Sequence, residues 1–383
     1  MLKSKKTIVL ISFILIVNLL GLVGCANQAA NSNSNTIKLA TAAPMTGDYA
    51  QYGQYTKEGL ELALEEINKN GGVLGKQIEL VYGDDKGDPK EAVSVAQKLI
   101  NDKNIVGMLG HFFSGATLAA GPIYQSNGIP TLAIASTNPD VPTIGDYIFR
   151  INVGDNYQGS QLAKWLYETK GIKKVAVVYD NNDYGKGVSD VFNKTFKELG
   201  GEITTIESYI GGQEKDFSVI VTKIKGSGAE AIMLASYPTE GALIAQQAKN
   251  NGLDIPIICT DSIYTEDFIK LGGQAVEGAT VVSYFHPSDP RPEVQEFIKK
   301  FKDKYGKEPD SWSPYAYDAM YVMVNAIKRA GSSDKKAIQK ALSETKDFRG
   351  ATGLTTFNQD GEPEGKDLII LTVENGQYVP LSE

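Results

Sequence analysis

The sequence predicts an α/β fold with two doubly wound parallel-sheet lobes. Three observations lead to this prediction: short runs of β-type composition alternate with helical stretches, the alternation restarts in mid-chain, and a mainly helical tail follows. Strands separated by helices of this length pair in parallel, with helices on both faces of the sheet. A chain of 383 residues is long enough for two domains that each bury a core.

The first run of elements begins with a strand at 36–42 and a helix at 54–70, which Gly71-Gly72 terminates. Asp88-Pro89 predicts the N-cap and first-turn proline of another helix, ending near residue 101. The remaining predictions here are strands at 77–82, 105–109 and 130–134 and a helix at 115–127.

The second run repeats this pattern, and Gly200-Gly201 repeats the helix stop. Its predicted strands are 174–179, 203–209, 231–235 and 255–259, and its predicted helices are 186–199, 217–225 and 240–251. The tail predicts consecutive helices at 293–305, 315–330 and 335–345. Strands at 368–373 and 377–380 flank Asn375-Gly376, a strong hairpin signal.

The N-terminus has the parts of an export signal: a lysine-rich start, an apolar run at 7–23, and Leu22-Val23-Gly24-Cys25. These four residues resemble the bacterial lipobox, in which Cys25 becomes the lipidated first residue. The alternative is a transmembrane anchor, since about 17 apolar residues approach the length that spans a bilayer. No basic flank follows Cys25, which favours the lipoprotein. The polar segment 26–36 then predicts a flexible tether of roughly 15–20 Å.

Composition narrows the function. Removal of residues 1–24, which include three lysines, leaves 359 residues whose net charge is −11 instead of −8. Such an acidic chain lacks the basic cluster that a protein needs to bind the phosphates of a nucleic acid, so we expect no nucleic-acid partner. With Cys25 lipidated, Cys259 has no partner for a disulfide or thiolate metal site, and neither His111 nor His286 lies near a nucleophile motif. Asp84-Asp85 is interpreted as exposed surface rather than a catalytic pair. We therefore expect no metal, no cofactor and no catalysis.

Candidate binding residues follow the predicted strands, because open parallel sheets bind ligands beyond the carboxyl ends of their strands. Ser114-Gly115-Ala116-Thr117 opens a helix, where a hydroxyl and free N–H groups suit a carboxylate. The alternative is that Ser114 only caps the helix, a contribution of about 1 kcal/mol. Asp261 suits an ammonium group, or it caps the next helix. Ala135-Ser136-Thr137 is a further candidate after the strand at 130–134.

Aromatic residues accompany these loops: Tyr52, Tyr184, Tyr237 and Trp312. Core positions are the alternative for each of them, because most aromatics of a chain this size are buried for packing. An anion-binding and a cation-binding group on facing lobes would together suit a small zwitterion.

Several segments carry a family resemblance: Pro44-Met45-Thr46-Gly47 with Tyr52-Gly53, residues 67–75, Asp84-Asp85 with Asp88-Pro89-Lys90, Thr137-Asn138-Pro139, Tyr184-Gly185-Lys186-Gly187 and Glu214-Lys215-Asp216-Phe217-Ser218. With them the chain resembles the branched-chain amino-acid substrate-binding proteins of ABC transporters, the leucine/isoleucine/valine-binding family with the type I periplasmic binding protein fold. The resemblance covers essentially all of the mature chain.

The resemblance implies two lobes joined by three crossovers, with the ligand in the cleft between them. The implied organisation is a signal peptide at 1–24, a lipidated Cys and tether at 25–36, an N-terminal lobe at 37–154 plus 286–357, and a C-terminal lobe at 155–285 plus 358–383. The family's carboxylate site corresponds to Ser114-Gly115-Ala116-Thr117. Its ammonium site corresponds to Ala135, Thr137, Tyr237 and Asp261, while Tyr52, Tyr184 and Trp312 would wall the side-chain pocket.

Two departures from the family bear on specificity. Asp261 is one methylene shorter than the glutamate that relatives often carry. A cleft disulfide of enterobacterial relatives has no counterpart, because Phe113 and Lys86-Gly87 carry no cysteine, and Phe112-Phe113 adds bulk.

We therefore expect an exported, lipid-anchored and monomeric receptor that delivers a branched-chain or other apolar amino acid to an ABC permease. Two alternatives share this fold: a sensor that feeds a signalling partner, and a binder of amides, urea or other small polar metabolites. An extracytoplasmic enzyme is the third, and the lack of a catalytic constellation disfavours it.

Overall fold

A computed structural model describes residues 35–381 of the protein. The predicted export signal, Cys25 and nearly all of the tether lie outside the described residues. No helix within the described range is long and apolar enough to cross a membrane.

The first sheet has five parallel strands: β1 (Thr36–Ala43), β2 (Gln77–Asp84), β3 (Ile105–Gly110), β4 (Thr131–Ala133) and β5 (Ile148–Arg150). Their order is β2-β1-β3-β4-β5. The connecting helices are α1 (Ala50–Lys69), α2 (Pro89–Asn101) and α3 (Ser114–Ser126). All residues of β3 and β4 are buried, as expected for a parallel sheet covered on both faces. We call this sheet and the helices on it the first lobe.

The second sheet has seven strands: β6 (Lys174–Asp180), β7 (Glu202–Tyr209), β8 (Ala231–Ala235), β9 (Ile257–Cys259), β10 (Thr280–Ser283), β14 (Ile369–Glu374) and β15 (Gln377–Pro380). Their order is β15-β14-β10-β9-β8-β6-β7, and the predicted hairpin β14-β15 joins antiparallel to β10. The helices of this second lobe are α4 (Asp155–Lys164), α5 (Asp183–Glu198), α6 (Ser218–Ser227), α7 (Pro238–Asn250) and α8 (Glu266–Gly272).

The helical tail returns to the first lobe as α9 (Pro292–Tyr305), α10 (Ser313–Ala330) and α11 (Lys335–Ser343). Helix α10 packs against α1 and β3. The approach is so close that a Cβ on Gly59 would lie 2.1 Å from the carbonyl oxygen of Ser313. A small antiparallel sheet follows, made of β11 (Phe348–Gly350), β12 (Gly353–Phe357) and β13 (Pro363–Glu364). The chain thus passes between the lobes three times, as predicted.

Local signals explain where helices begin and end. Asp88 caps α2, because its Oδ1 accepts hydrogen bonds from the N–H groups of Lys90 (2.8 Å) and Glu91 (3.0 Å). After α1, Gly72 has φ +74°, and a Cβ there would lie 1.9 Å from the carbonyl oxygen of Lys76. Only glycine fits such a turn, so the predicted helix stop is confirmed.

The prediction missed several short elements: β5, β10, the β11-β12-β13 sheet, α4 and α8. Strand β5 has three residues and β10 has four, and every one of them is buried. A run this short shows neither the period of a strand nor that of a helix. The predicted strand at 255–259 is confirmed in part, since β9 begins only after Pro256.

Candidate functional site

A small cavity lies where the carboxyl ends of the strands of the two sheets face each other. Its volume is about 20 Å³, close to the room that one water molecule needs. Ten residues line it: Tyr52, Phe112, Phe113, Ser114, Ala135, Tyr184, Tyr237, Asp261, Ser262 and Trp312. The structure therefore brings together seven of the predicted site residues, drawn from both lobes.

Ser114 is the first residue of α3, and it is 2% exposed. Phe113 is the N-cap residue, so the alternative that Ser114 caps the helix is wrong. The Ser114 Oγ instead accepts a hydrogen bond from the N–H of Asn138 at 3.2 Å. The N–H groups of a first helical turn have no partner within their helix, and the positive end of the helix dipole favours an anion there. This corner can bind a carboxylate.

Two segments of the first lobe were predicted to bind the ligand, residues 114–117 and residues 135–137. Only Ser114 and Ala135 of these segments line the cavity. Gly115 lies on a neighbouring outer groove, and Ala116 is fully buried. Thr117 and Ser136 bind each other through their hydroxyls at 2.5 Å, and Ser136 also donates to backbone carbonyls at the end of β3. The two hydroxyls hold the segments against each other, behind the cavity wall that Ser114 and Ala135 form.

Thr137 is buried, and its hydroxyl makes no hydrogen bond of ordinary geometry within the described residues. It lies beside the carboxyl of Asp155 and lowers the pKa of that group, an effect smaller than the rise caused by burial and by the charge of Asp261. A buried hydroxyl without a partner is costly to the fold, and a ligand group can satisfy it.

Asp261 is the acidic residue of the cavity, and it is 5% exposed. Its Oδ1 accepts a hydrogen bond from the Tyr184 hydroxyl at 2.9 Å, and its N–H donates to Oε1 of Gln158 at 3.0 Å. Burial raises the pKa of Asp261, although the hydrogen bond from Tyr184 opposes this. The residue begins a 3₁₀ turn, and its side chain binds Tyr184 rather than capping a following helix. A buried carboxylate in this position suits a cationic partner.

The aromatic residues form one cluster that crosses the cleft. The Tyr52 ring lies 4.9 Å from Phe112 and 6.2 Å from Tyr237, and Trp312 lies 5.3 Å from Phe112. Tyr184 and Tyr237 are 5.9 Å apart. Tyr52, Phe112 and Trp312 belong to the first lobe, whereas the two other tyrosines belong to the second. The predicted side-chain pocket is thus apolar, with rings from both lobes.

Direct contacts hold the two lobes together around the cavity. The Tyr52 hydroxyl donates to the carbonyl of Ser262 at 3.2 Å, and Asn138 Nδ2 donates to the carbonyl of Asp183 at 2.6 Å. A Cβ on Gly115 would lie 2.7 Å from Oδ2 of Asp183. Glycine at position 115 thus allows the lobes to close.

Sequence reasoning missed Asp155, the first residue of α4. It is fully buried, and its Oδ2 makes no hydrogen bond within the described residues. Burial and the charge of Asp261 raise its pKa well above the ordinary range, while Arg150 opposes the shift. Asp155 follows β5 closely, so the strand-end rule would have pointed to it if that strand had been recognised.

Two residues that could carry chemistry elsewhere in the chain, His111 and Cys259, are buried away from the cavity. His111 is buried, with Nδ1 2.6 Å from Oδ2 of Asp85 and Nε2 3.1 Å from the Tyr124 hydroxyl. Asp85 is therefore buried, and its interpretation as exposed surface was wrong. Cys259 is a free, buried thiol whose pKa burial raises. Within residues 35–381, no cluster of histidine, cysteine and acidic side chains could hold a metal ion.

The fold and the cavity define a two-lobed binding protein that holds a small ligand between its lobes. The chain belongs to the family described as periplasmic binding protein, which residues 36–377 match. Members of this family act outside the cytoplasm, where they bind solutes for transport. They are not enzymes.

Similar proteins fall within the same family. A Leu/Ile/Val-binding protein homolog of Brucella abortus is 35% identical, over 93% of this chain and 96% of that protein. The leucine-, isoleucine-, valine-, threonine- and alanine-binding protein of Pseudomonas aeruginosa is 33% identical, over 88% and 90%. Among solved structures, a leucine-binding protein of Thermotoga maritima has a TM-score of 0.85 at 32% identity, covering 90% of this chain and 98% of that one.

A branched-chain amino-acid transporter substrate-binding protein of Streptococcus pneumoniae, solved with isoleucine, has a TM-score of 0.83 at 32% identity. The match covers 90% of this chain and 100% of that one. The family resemblance and the predicted fold class are confirmed.

Proposed function

We propose that this protein captures an amino acid by closing its two lobes and delivers it to an ABC permease. The observation that carries the proposal is the pairing of opposite polarities in one cavity: the α3 N-terminus with Ser114 on the first lobe, and Asp261 on the second. A free α-amino acid carries a carboxylate and an ammonium on the same carbon atom, so it can satisfy both at once.

The main-chain groups of the ligand would bind as follows. Its carboxylate accepts hydrogen bonds from Ser114 Oγ and from the first-turn N–H groups of α3. Its ammonium donates to Asp261, to the carbonyl of Ala135, to Tyr237 and to Thr137, whose hydroxyl makes no well-aligned hydrogen bond within the described residues. Asp155 is a second buried carboxyl within electrostatic range of Asp261, and an ammonium bound near both would favour their charged forms. Charge-assisted hydrogen bonds of about 1.5–3 kcal/mol each support micromolar or tighter affinity.

The ligand's side chain would lie against the aromatic rings of Tyr52, Tyr184 and Trp312. These rings favour a branched-chain or other apolar amino acid. The relatives above support this class, since their names refer to leucine, isoleucine and valine, and the Streptococcus protein was solved with isoleucine.

Membrane attachment through lipidated Cys25 is a further part of the proposal, supported by the sequence 1–36 alone. The tether would keep a monomeric receptor near its permease. We propose the lobe boundaries as 37–154 with 286–357, and 155–285 with 358–383. Substitution Cys25→Ser is expected to move the protein from the membrane fraction to the soluble fraction, and an unchanged distribution would argue against lipidation.

The test of ligand class is thermal unfolding of the mature protein with each amino acid in turn. A ligand at 100 times its dissociation constant adds about 2.7 kcal/mol to the free energy of unfolding. We expect such a shift with at least one apolar amino acid. If only amides, urea or other small metabolites stabilise the protein, one of those compounds and not an amino acid is the cargo. If no amino acid stabilises it, this proposed function is refuted.

A further inference from the structure

Phe113 separates the inner cavity from a wider groove outside it. Its side chain lines the cavity of about 20 Å³, and it also lines the adjoining groove of about 440 Å³. Ser114, Tyr184 and Tyr237 line both spaces as well, so these spaces meet along this wall. The ring of Phe113 is the apolar part of the wall that the first lobe contributes.

Packing fixes the position of this ring. It makes edge-on contacts with Tyr49 (5.0 Å), Tyr52 (5.5 Å) and Tyr237 (5.3 Å), which belong to both lobes. On one side it lies against the backbone of Gly87, where a Cβ would be 2.9 Å from two ring carbons. The ring therefore occupies the space that a side chain at residue 87 would fill. It cannot move unless several neighbouring residues move first.

We propose that Phe113 sets the upper size of the cargo side chain, so that the protein prefers valine to leucine and phenylalanine. This inference rests on the proposed function, because it assumes an amino acid held by Ser114 and Asp261. Those two groups fix the main chain of the ligand beside Phe113. Each added methylene of its side chain must then displace a packed ring edge.

The size of the effect follows from how apolar pockets discriminate. A pocket that rejects one methylene distinguishes two ligands by about 10- to 200-fold. Overpacking of a rigid cluster acts in the same direction, because the rings must leave their preferred rotamers. Shortening residue 113 joins the cavity to the outer groove and should remove this discrimination.

Titration calorimetry with alanine, valine, leucine and phenylalanine tests the proposal on the mature protein. We expect the wild type to bind valine about tenfold or more tightly than leucine. We expect Phe113→Ala to shift the leucine-to-valine affinity ratio toward leucine by about the same factor, with Phe113→Leu intermediate. If the wild type binds leucine as tightly as valine, or if Phe113→Ala leaves the ratio unchanged, the inference is wrong. A wild type that binds no amino acid refutes the proposed function instead.

A second pair of variants tests the ring without altering it. Gly87→Ala adds a methyl group against Phe113, whereas Gly75→Ala adds one in open space at a similar backbone angle (φ +75° and +72°). Both variants carry the same left-handed strain. Only Gly87→Ala should change the leucine-to-valine ratio, by several-fold. Equal ratios in the two variants would show that the position of the ring does not set specificity.

Discussion

The two walls of the cleft differ in how their polar groups are held. On the second-lobe wall, the carboxylate of Asp261 accepts a hydrogen bond from Tyr184, and the Asp261 N–H donates to Gln158, so protein partners hold both the side chain and the backbone of this residue. On the first-lobe wall, the first-turn N–H groups of α3 beside Ser114 have no partner within their helix and are left for a ligand. The proposed ammonium site is thus preorganised, whereas the proposed carboxylate site offers helix N–H donors, and the two face each other in one cavity.

Removing the charge on the preorganised wall should have the largest effect. Asp261→Asn keeps the size of the side chain but replaces an ion pair with the ligand ammonium by a neutral contact. We expect affinity to fall about 10- to 100-fold, because a charge-assisted hydrogen bond contributes roughly 1.5–3 kcal/mol. Titration calorimetry measures this loss. The melting temperature without ligand should change little, since the variant also relieves the burial of a carboxylate.

Asp190→Asn is the matched control for this substitution, because Asp190 lies on the exposed face of α5, pairs with Lys186 and does not line the cavity. Its affinity should remain near that of the wild type. Equal losses in the two variants would mean that the general negative potential of the second lobe, and not Asp261 itself, attracts the ligand.

Acid should weaken binding through the same residue. Burial raises the pKa of Asp261, and the nearby carboxyl of Asp155 is shifted in the same direction. The ammonium requires the charged form of Asp261, so protons compete with the ligand once the pH falls through this raised pKa. Affinity should then drop by up to about tenfold per pH unit, beginning at a higher pH than for an ordinary aspartate. A pH series of titrations on wild type and Asp261→Asn checks this, and an equally steep dependence in the variant would contradict it.

The smallest effect is expected on the first-lobe wall. Ser114→Ala removes one hydroxyl, while the backbone N–H groups of α3 remain. Affinity should fall about three- to tenfold, the loss of one hydrogen bond of roughly 0.5–1.5 kcal/mol. Ser126→Ala at the other end of α3 is the control, because its hydroxyl binds only the carbonyl of Ile123. An effect of Ser114→Ala larger than that of Asp261→Asn would reverse the order of the two walls.

Most of the fold could be predicted because short local sequences determine where its helices begin and end and where its turns lie. Gly71-Gly72, Asp88-Pro89 and Asn375-Gly376 each specify a helix end, a helix start or a turn through backbone geometry alone. Strand β5 could not be predicted in this way, since a buried three-residue strand is defined by its neighbours in the sheet rather than by its own pattern.

The site was also predicted in large part, since seven of the predicted residues line the cavity. Ser114 and Asp261 could be found because they directly follow recognisable strands. Asp155 was missed together with β5. Thr117 and Ser136 have the right residue types, but their hydroxyls face each other, and only tertiary packing determines that direction. The same holds for Phe113, whose fit against Gly87 depends on two loops brought together by β2 and β3.

The pairing of β10 with β14 also constrains the order of folding. Thr280 lies opposite Thr372, so the second sheet is complete only after almost a hundred further residues have been supplied. The intervening chain meanwhile builds α9, α10 and α11 on the first lobe. Neither lobe can finish as an independent unit while the chain emerges from the ribosome. Contacts this distant in sequence form slowly, so we expect both lobes to complete their folding only after the whole chain has been synthesised.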